Sequence, residues 1–198
     1  MRYGVITVGR EYGSGGRFIA RNVAEKLSIP FYDKELIELV AEKTGLSPEF
    51  VKKAEEHRTS GFLYNLYYPT QSLPLYDQVF IAQSNIIKKF AAEGPCVIVG
   101  RCADYVLQNT PGCLHVFVHA PVEERVARAR AYYELEGDDD VLRTAIAKQD
   151  KARASYYNHF TMGKWGRAQN YDLAINSALG IDEAAHAIIG IARGGATV

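Results

Sequence analysis

The residues best suited to chemistry lie in a glycine-rich stretch near the start of the chain, REYGSGGR at positions 10–17. A β-branched run precedes it at positions 5–8, and Ile19, Val23 and Leu27 follow at helical spacing. The segment is therefore predicted to form a strand, a loop and a helix. Glycines let several backbone N–H groups point into one concavity, and the start of a helix adds the positive end of its dipole. The stretch suits the binding of a polyphosphate.

The glycine-rich stretch departs from the common phosphate-binding pattern G-x-x-x-x-G-K-[ST]. Gly16 stands where the pattern has lysine, Arg17 stands where it has serine or threonine, and Gly9 lies one residue too early to be the first glycine. Arg17 is the nearest cation. A strand-to-helix turn that only packs closely is an equally good interpretation of the loop taken alone.

Two further candidate side chains follow predicted strands. Asp33 ends the segment at 28–33, and Arg101 follows the apolar run at 96–99. In open α/β sheets, ligands bind at the carboxyl ends of the strands. Asp33 is therefore a candidate ligand-binding residue, with capping of the next helix as the alternative. For Arg101 the alternative is an ion pair with Asp104 that fixes the helix after it.

Hydrophobic patterning predicts alternating strands and helices along most of the chain. Predicted strands cover residues 5–8, 28–33, 96–99, 114–120 and 171–176, and predicted helices cover 18–27, 34–43, 47–58, 77–93, 121–134 and 141–157. Strands separated by helices imply a parallel sheet covered on both faces, which is an α/β fold. The glycine-rich tail after Ile191 is expected to fray.

Residues 61–76 interrupt this alternation, because they are rich in aromatic residues, contain prolines and lack a clear period. They are predicted to form a loop-rich insertion. Their tyrosines could stack on a base, but packing onto the body of the protein, or a contact in a homodimer, is favoured.

The densest positive charge lies on the two predicted helices at 121–134 and 141–157, which flank an acidic turn at 136–140. Their basic residues include Arg125, Arg128, Arg130, Arg143, Lys148, Lys151 and Arg153. A helix pair of this kind could form a mobile lid. Two solvated helices whose charges pair with one another are the alternative.

Composition limits the class of protein. The chain has 198 residues, 47% of them hydrophobic, which suits one domain. Equal numbers of basic and acidic residues, 23 of each, give no indication of a nucleic-acid or membrane partner. Three cysteines without a C-x-x-C pair favour a reduced interior over disulfides or zinc. Because the first residues lead directly into a strand without a signal-peptide pattern, we expect a cytoplasmic protein.

Several of these segments together resemble the cytidylate kinase-like family of P-loop nucleoside monophosphate kinases. The segments are REYGSGGR at 10–17, PFYDKELI at 30–37, VIVGRCAD at 97–104, DKAR at 150–153 and YDLAIN at 171–176. The resemblance covers nearly the whole chain and implies a three-layer α/β/α P-loop kinase fold with a central parallel sheet. It further implies one domain with three parts, namely a core (1–33, 94–123 and 158–191), a monophosphate-binding insertion (about 34–93) and a helical lid (about 124–157).

The resemblance also implies an activity, the transfer of a phosphoryl group from ATP to CMP or dCMP with Mg²⁺. The donor would be bound by Arg10, Gly13, Ser14, Gly15, Gly16, Arg17 and Asn176. The residues expected to act in catalysis are Arg17, Asp33, Arg101, Arg128 and Arg153. Arg17 or Arg10 would supply charge at the loop, and Asp33 would orient the magnesium shell or the acceptor. Arg101 would bind the acceptor phosphate, and the lid arginines would close on the transferring group.

Two positions differ from cytidylate kinases in this comparison. Gly16 replaces the loop lysine, and Cys102 replaces the aspartate of a Gly-Arg-Asp element. A nucleotide-binding regulatory or interaction module with little transfer activity is therefore an alternative hypothesis. A kinase for another small acceptor is a second.

Overall fold

The computed structural model describes residues 1–33, 35–56, 73–133 and 135–195. The aromatic stretch predicted as an insertion at 61–76 lies outside these ranges except for residues 73–76, as do residues 57–58 of the third predicted helix.

Within the described residues, five parallel strands form one sheet in the order β2-β3-β1-β4-β5. The strands are β1 (Val5–Arg10), β2 (Phe31–Tyr32), β3 (Cys96–Val99), β4 (Cys113–His119) and β5 (Leu173–Asn176). All five predicted strands are present. The second is shorter than predicted, because Ser28 adopts a left-handed conformation that ends the preceding helix and because this edge strand pairs with β3 alone.

The helices lie between the strands and after the last one. They are α1 (Gly16–Leu27), α2 (Glu35–Thr44), α3 (Pro48–Glu56), α4 (Leu75–Glu93), α5 (Ala103–Val106), α6 (Val122–Tyr132), α7 (Asp139–Thr161) and α8 (Ile181–Arg193). Short 3₁₀ turns follow at Ala168–Asn170 and Ser177–Leu179. The fold is a three-layer α/β/α arrangement, as the sequence predicted.

Two predicted boundaries were wrong. The acidic turn expected at 136–140 becomes helical at Asp139, because the Asp138 carboxylate accepts a hydrogen bond from the Val141 amide at 2.9 Å and caps α7. At the other end of the chain, α8 extends to Arg193, two residues beyond the Ile191 after which the tail was expected to fray. Gly194 ends that helix in a left-handed conformation. Residues 196–198 of that tail lie outside the described ranges.

The sheet divides the core into two layers. Ile6 and Val8 of β1 pack in the cluster formed with α1 and α8, whereas Ile98 of β3 packs in the cluster formed with α2 and α4. A third, smaller cluster joins α6 to α7 through residues that include Leu142 and Ile146. The central strands are covered on both faces, which explains why they are apolar without alternation.

The three cysteines are buried in this core. Burial raises the thiol pKa of both Cys96 and Cys113 to about 11, so these thiols stay protonated at neutral pH. None of the described helices is both long enough and apolar enough to cross a membrane.

Packing of α8 against α1 generates a prediction with an internal control. Ile188 is fully buried, while Ile191 on the same helix is 38% exposed. We expect Ile188→Ala to lower the free energy of unfolding by about 3 kcal/mol, because it removes buried methyl groups and leaves a cavity. Ile191→Ala should lower it by less than about 1 kcal/mol. Urea denaturation of both variants measures the difference, and equal losses would contradict this assignment of the core.

Candidate active site

The glycine loop lies between β1 and α1, at the carboxyl edge of the sheet. Gly13 and Gly15 have φ angles of 76° and 78°, in the left-handed region that favours glycine. A Cβ atom on Gly13 would lie 2.7 Å from the backbone oxygen of Arg125, and one on Gly15 would lie 2.7 Å from a methyl group of Ile181. Both positions therefore require glycine for conformation and for space.

A cavity of about 420 Å³ opens beside this loop. Gly13, Gly15, Gly16 and Arg17 line it on one side, and α1 begins there with no acidic residue in its first turn. The start of a helix beside a glycine loop is a favourable environment for an anion.

Ser14 stabilises the loop from within. Its hydroxyl donates to the Glu11 carbonyl at 2.9 Å and accepts from the Gly16 amide at 3.3 Å. Its own carbonyl accepts a hydrogen bond from the Ser177 hydroxyl at 2.5 Å. Ser14 is fully buried, its backbone amide donates to the Glu11 carbonyl at 3.3 Å, and it is not among the described residues that line the cavity. Ser14 therefore supports the loop and does not face the cavity.

The predicted lid helices contact the outer side of the loop. Arg125 of α6 donates from Nε to the Tyr12 carbonyl at 2.7 Å and forms ion pairs with Asp150 of α7 and, at 3.4 Å, with Glu11. Asp150 in turn accepts from the Tyr12 amide at 2.7 Å. These contacts connect α6, α7 and the loop directly.

Arg128 also contacts the loop rather than the cavity. Its Nη1 lies 3.2 Å from the Ser177 hydroxyl and 3.4 Å from the Ser14 carbonyl, and Arg128 is not among the described residues that line the cavity. Asn176 is likewise outside the lining, and its side chain caps the turn Ser177–Leu179 by accepting from the Ala178 amide at 3.0 Å. The contacts of both side chains are thus with the protein backbone and with Ser177 and Glu124.

Three arginines from different parts of the fold converge on Asp33. The Asp33 carboxylate lies 2.5 Å from Nε of Arg17, 3.5 Å from Nη1 of Arg101 and 3.7 Å from Nη2 of Arg10. Burial alone would raise the pKa of this carboxyl, but the guanidinium groups of Arg10, Arg101 and Arg17 hold it below its usual value. Asp33 is thus an ionised carboxylate at the centre of a cationic cluster, and it is a member of the site.

Arg101 is presented by an unusual turn. Gly100, Arg101 and Cys102 have φ angles of 73°, 54° and 55°, so two non-glycine residues adopt the left-handed conformation in succession, which costs free energy. Arg101 contacts the Asp33 carboxylate at 3.5 Å, and Asp104 accepts a hydrogen bond from the Tyr157 hydroxyl at 2.8 Å. Strained turns of this kind are concentrated at binding sites.

Arg153 adds a fourth guanidinium from α7. Its Nη1 donates to the Arg10 carbonyl at 3.0 Å, and its guanidinium carbon lies 5.3 Å from the centre of the Tyr12 ring. Burial lowers the pKa of Arg153, although an arginine remains charged over any accessible pH. Arg153 lines the cavity, as the predicted catalytic role requires.

The cavity lining also contains residues that sequence reasoning did not select as site residues. They include Ile37, Lys52, Asp104, Gln149, Tyr156, Tyr157, Trp165 and Tyr171. Asp104 was considered only as a partner of Arg101. The tyrosines and Trp165 belong to segments distant in sequence, and a single aromatic residue in a helix or loop gives no sign of a binding role.

The cavity combines positive charge with a carboxyl group that resists ionisation. Its described lining includes the cations Arg10, Arg17, Lys52, Arg101 and Arg153 and the acidic residues Glu11, Asp33 and Asp104. Burial raises the pKa of Asp104. The balance favours anionic ligands. No cluster of three or more His, Cys, Asp or Glu side chains suited to a metal ion occurs among the described residues.

The parallel sheet with a glycine loop between β1 and α1 has the P-loop kinase fold. The chain belongs to the cytidylate kinase-like family, whose model matches residues 5–179. Its sequence matches no curated protein.

Solved structures agree with this class. An uncharacterized protein from Eubacterium ventriosum is 27% identical, with 96% of this chain and 98% of that chain covered and a TM-score of 0.72. A shikimate kinase from Bacteroides thetaiotaomicron is 16% identical (96% and 98% covered, TM-score 0.58), and a gluconokinase from Sinorhizobium meliloti is 19% identical (97% and 93% covered, TM-score 0.58). These two kinases share the fold.

The two buried carboxyls should affect the pH dependence of stability in opposite directions. Because the native pKa of Asp33 is lowered, the stability it contributes is present above its unfolded pKa of about 3.9 and is lost as the pH falls through the native value. The stability advantage of the wild type over Asp33→Asn should therefore shrink in acid.

For Asp104 the native pKa is raised, so its protonated form is favoured in the folded state. The stability of the wild type relative to Asp104→Asn should be highest below about pH 4 and should decline as the pH rises through the native pKa. Urea denaturation of the three proteins across a pH series measures both slopes. Slopes of the same sign would show that one of the two environments is misassigned.

Proposed function

We propose that this protein transfers the γ-phosphoryl group of ATP to a small phosphorylated acceptor, most favourably CMP or dCMP. The observation that carries the proposal is the convergence of Arg10, Arg17, Arg101 and Arg153 on one cavity beside the glycine loop. Phosphoryl transfer needs two anionic groups held in line with their charge neutralised, and it asks for little covalent chemistry from the protein.

The loop supplies the donor side. The backbone amides of Gly13 and Gly15, both of which line the cavity, and the start of α1 would bind the donor phosphates. The residues present fit a nucleoside triphosphate in shape and charge. When bound, Mg²⁺ would neutralise charge on the phosphates, and Glu11 and Asp33, which both line the cavity, are the carboxylates that would hold it.

Arg101 supplies the acceptor side. It emerges from the end of β3, whose residues are fully buried, so its backbone position is well fixed. A guanidinium can donate two parallel hydrogen bonds to a phosphate. In this structure the Arg101 guanidinium lies 3.5 Å from the Asp33 carboxylate. We infer that an acceptor phosphate replaces the carboxylate in this contact when it binds.

In this proposal Asp33 orients neighbouring side chains and does not accept a proton during the reaction. Its lowered pKa makes it a weak base. A carboxylate that orients Arg17 and Arg101 would keep both guanidinium groups directed at the phosphates.

The predicted lid remains part of the proposal. The contacts of Arg125 and Asp150 with the loop seat the start of α6 and the middle of α7 against it. Residues 124–157 would then exclude water through Tyr132 and Tyr133, which lie at the end of α6 and line the cavity.

A kinase for another small acceptor is the second candidate. Shikimate kinase and gluconokinase, which share the fold, are named for acceptors without a nucleobase. The cavity lining includes the Asp104 carboxyl and the hydroxyls of Tyr157 and Tyr171, and these groups could bind acceptor hydroxyls. A regulatory module that binds nucleotide without transfer is favoured only by the glycine at position 16.

Two measurements test the proposal together. Calorimetry with a non-hydrolysable ATP analogue and Mg²⁺ tests donor binding, and absence of binding at millimolar ligand would overturn the proposal. A coupled ADP-release assay over a panel of nucleoside monophosphates, shikimate, gluconate and nucleosides then identifies the acceptor. ATP binding without release of ADP for any acceptor would favour the regulatory module.

Arg101→Lys tests the acceptor contact. The variant keeps the charge but loses the two-pronged donor, so we expect a loss of about 2 kcal/mol in transition-state stabilisation, or about 30-fold in kcat/KM for the acceptor. ATP affinity should be nearly unchanged.

The matched control is Arg193→Lys at the end of α8. This position lies near the amino ends of the strands, away from the cavity, because the Tyr3 amide donates to the neighbouring Ala192 carbonyl at 3.0 Å. It should leave both kinetics and stability unchanged. A purely structural role for Arg101 would instead lower the melting temperature of Arg101→Lys with acceptor kinetics close to wild type.

A further inference from the structure

We propose that Arg10 replaces the missing lysine of the phosphate loop, through an exchange of glycine and cation between two positions. Counted back from Gly15, the pattern G-x-x-x-x-G-K-[ST] places its first glycine at position 10 and its lysine at position 16. This chain has the reverse, Arg10 and Gly16. The inference rests on the proposed function, since it concerns the donor site of that reaction.

The structure shows why the two positions are coupled. A Cβ atom on Gly16 would lie 2.6 Å from Cβ of Arg10 and 3.1 Å from Cβ of Val118. Real side chains do not approach so closely, so a lysine at position 16 is incompatible with Arg10 in its present place. A lysine at position 16 would thus require a residue without a Cβ atom at position 10, which is the glycine of the usual pattern.

A second glycine makes room for the other end of the same side chain. Any Cβ atom on Gly100 would overlap Nη1 of Arg10. The guanidinium of Arg10 therefore extends from the end of β1 to the turn after β3, where its Nη2 lies 3.7 Å from Asp33. It lies between the loop that would bind the donor and the turn that presents Arg101.

The two neighbouring arginines have different positions. Arg17 is held in the first turn of α1 by its 2.5 Å contact with Asp33, and it stands at the pattern's serine or threonine position. Arg153 donates to the Arg10 carbonyl at 3.0 Å, so it stabilises the backbone from which Arg10 projects. Arg10 is the arginine whose side chain spans both halves of the site, and its cation would contact the phosphate that is transferred.

The test is a reciprocal exchange. Arg10→Ala should weaken binding of the ATP analogue and lower kcat/KM for ATP by about 100-fold, the usual effect of removing one donor to a developing anion. Combining Arg10→Gly with Gly16→Lys restores the first glycine and the lysine of the pattern and removes the steric conflict. This double variant should therefore have a kcat/KM for ATP at least about tenfold higher than that of Arg10→Ala. Gly16→Lys alone should not improve on the wild type.

Arg193→Ala serves as the matched loss of one arginine away from the cavity and should bind and react as the wild type does. Thermal unfolding of each variant separates misfolding from loss of function. The variant Arg10→Lys keeps the positive charge and should therefore retain more ATP affinity than Arg10→Ala.

The outcomes separate the two proposals. If the wild type binds ATP but Arg10→Ala binds and reacts equally well, the role of Arg10 is overturned while the kinase assignment stands. A folded exchange variant no better than Arg10→Ala would also overturn the exchange. If the wild type binds no ATP, the proposed function itself fails, and the role of Arg10 fails with it.

Discussion

The site depends on one buried carboxylate that keeps several like charges together. Arg10, Arg17 and Arg101 come from the end of β1, the start of α1 and the turn after β3, and without a counter-charge they would repel one another across the cavity. Asp33, at the end of β2, lies within ion-pair distance of all three. The same arrangement explains its lowered pKa, because each guanidinium favours the ionised carboxylate.

A second constraint is the tightness with which the loop is enclosed. Gly13 and Gly15 leave no room for a side chain, since the Arg125 backbone and Ile181 lie against them. Ser14 and Ser177 complete the enclosure from the side of α8. A rigid loop has little conformational entropy to lose when it binds a ligand, which is the advantage of a preorganised site.

The helix pair α6–α7 contributes to both constraints. Arg125 and Asp150 fix the outer side of the loop, and Arg153 fixes the carbonyl of Arg10. Three of its arginines, Arg125, Arg128 and Arg153, are therefore directed at the loop or at the strand end before it, whereas the alternative was two solvated helices. The exposed pairs between Arg130 and Asp139 and between Arg143 and Glu123 correspond to that alternative, and such surface pairs contribute little to stability.

Local sequence determined the order of the elements and the location of the loop. Apolar runs and helical periods reveal strands such as β3 and helices such as α1, because burial of one face or of both imposes those periods. Asp33 and Arg101 were also recognisable, since each directly follows a strand and the carboxyl ends of parallel strands share an edge.

Only the tertiary structure decided which side chains meet. The cap at Asp138 depends on local backbone geometry, and the burial of Arg125 depends on contacts with Tyr12 and Asp150, which are distant in sequence. Neither can be inferred from the hydrophobic period of the sequence. Arg128 and Asn176 proved to lie outside the cavity lining, whereas Lys52 and Tyr157 lie within it. The close approach of Arg10 to Gly16 excludes a side chain at position 16 of the loop. The sequence does not reveal this contact, because a glycine in a sequence does not indicate which neighbour fills the space next to it.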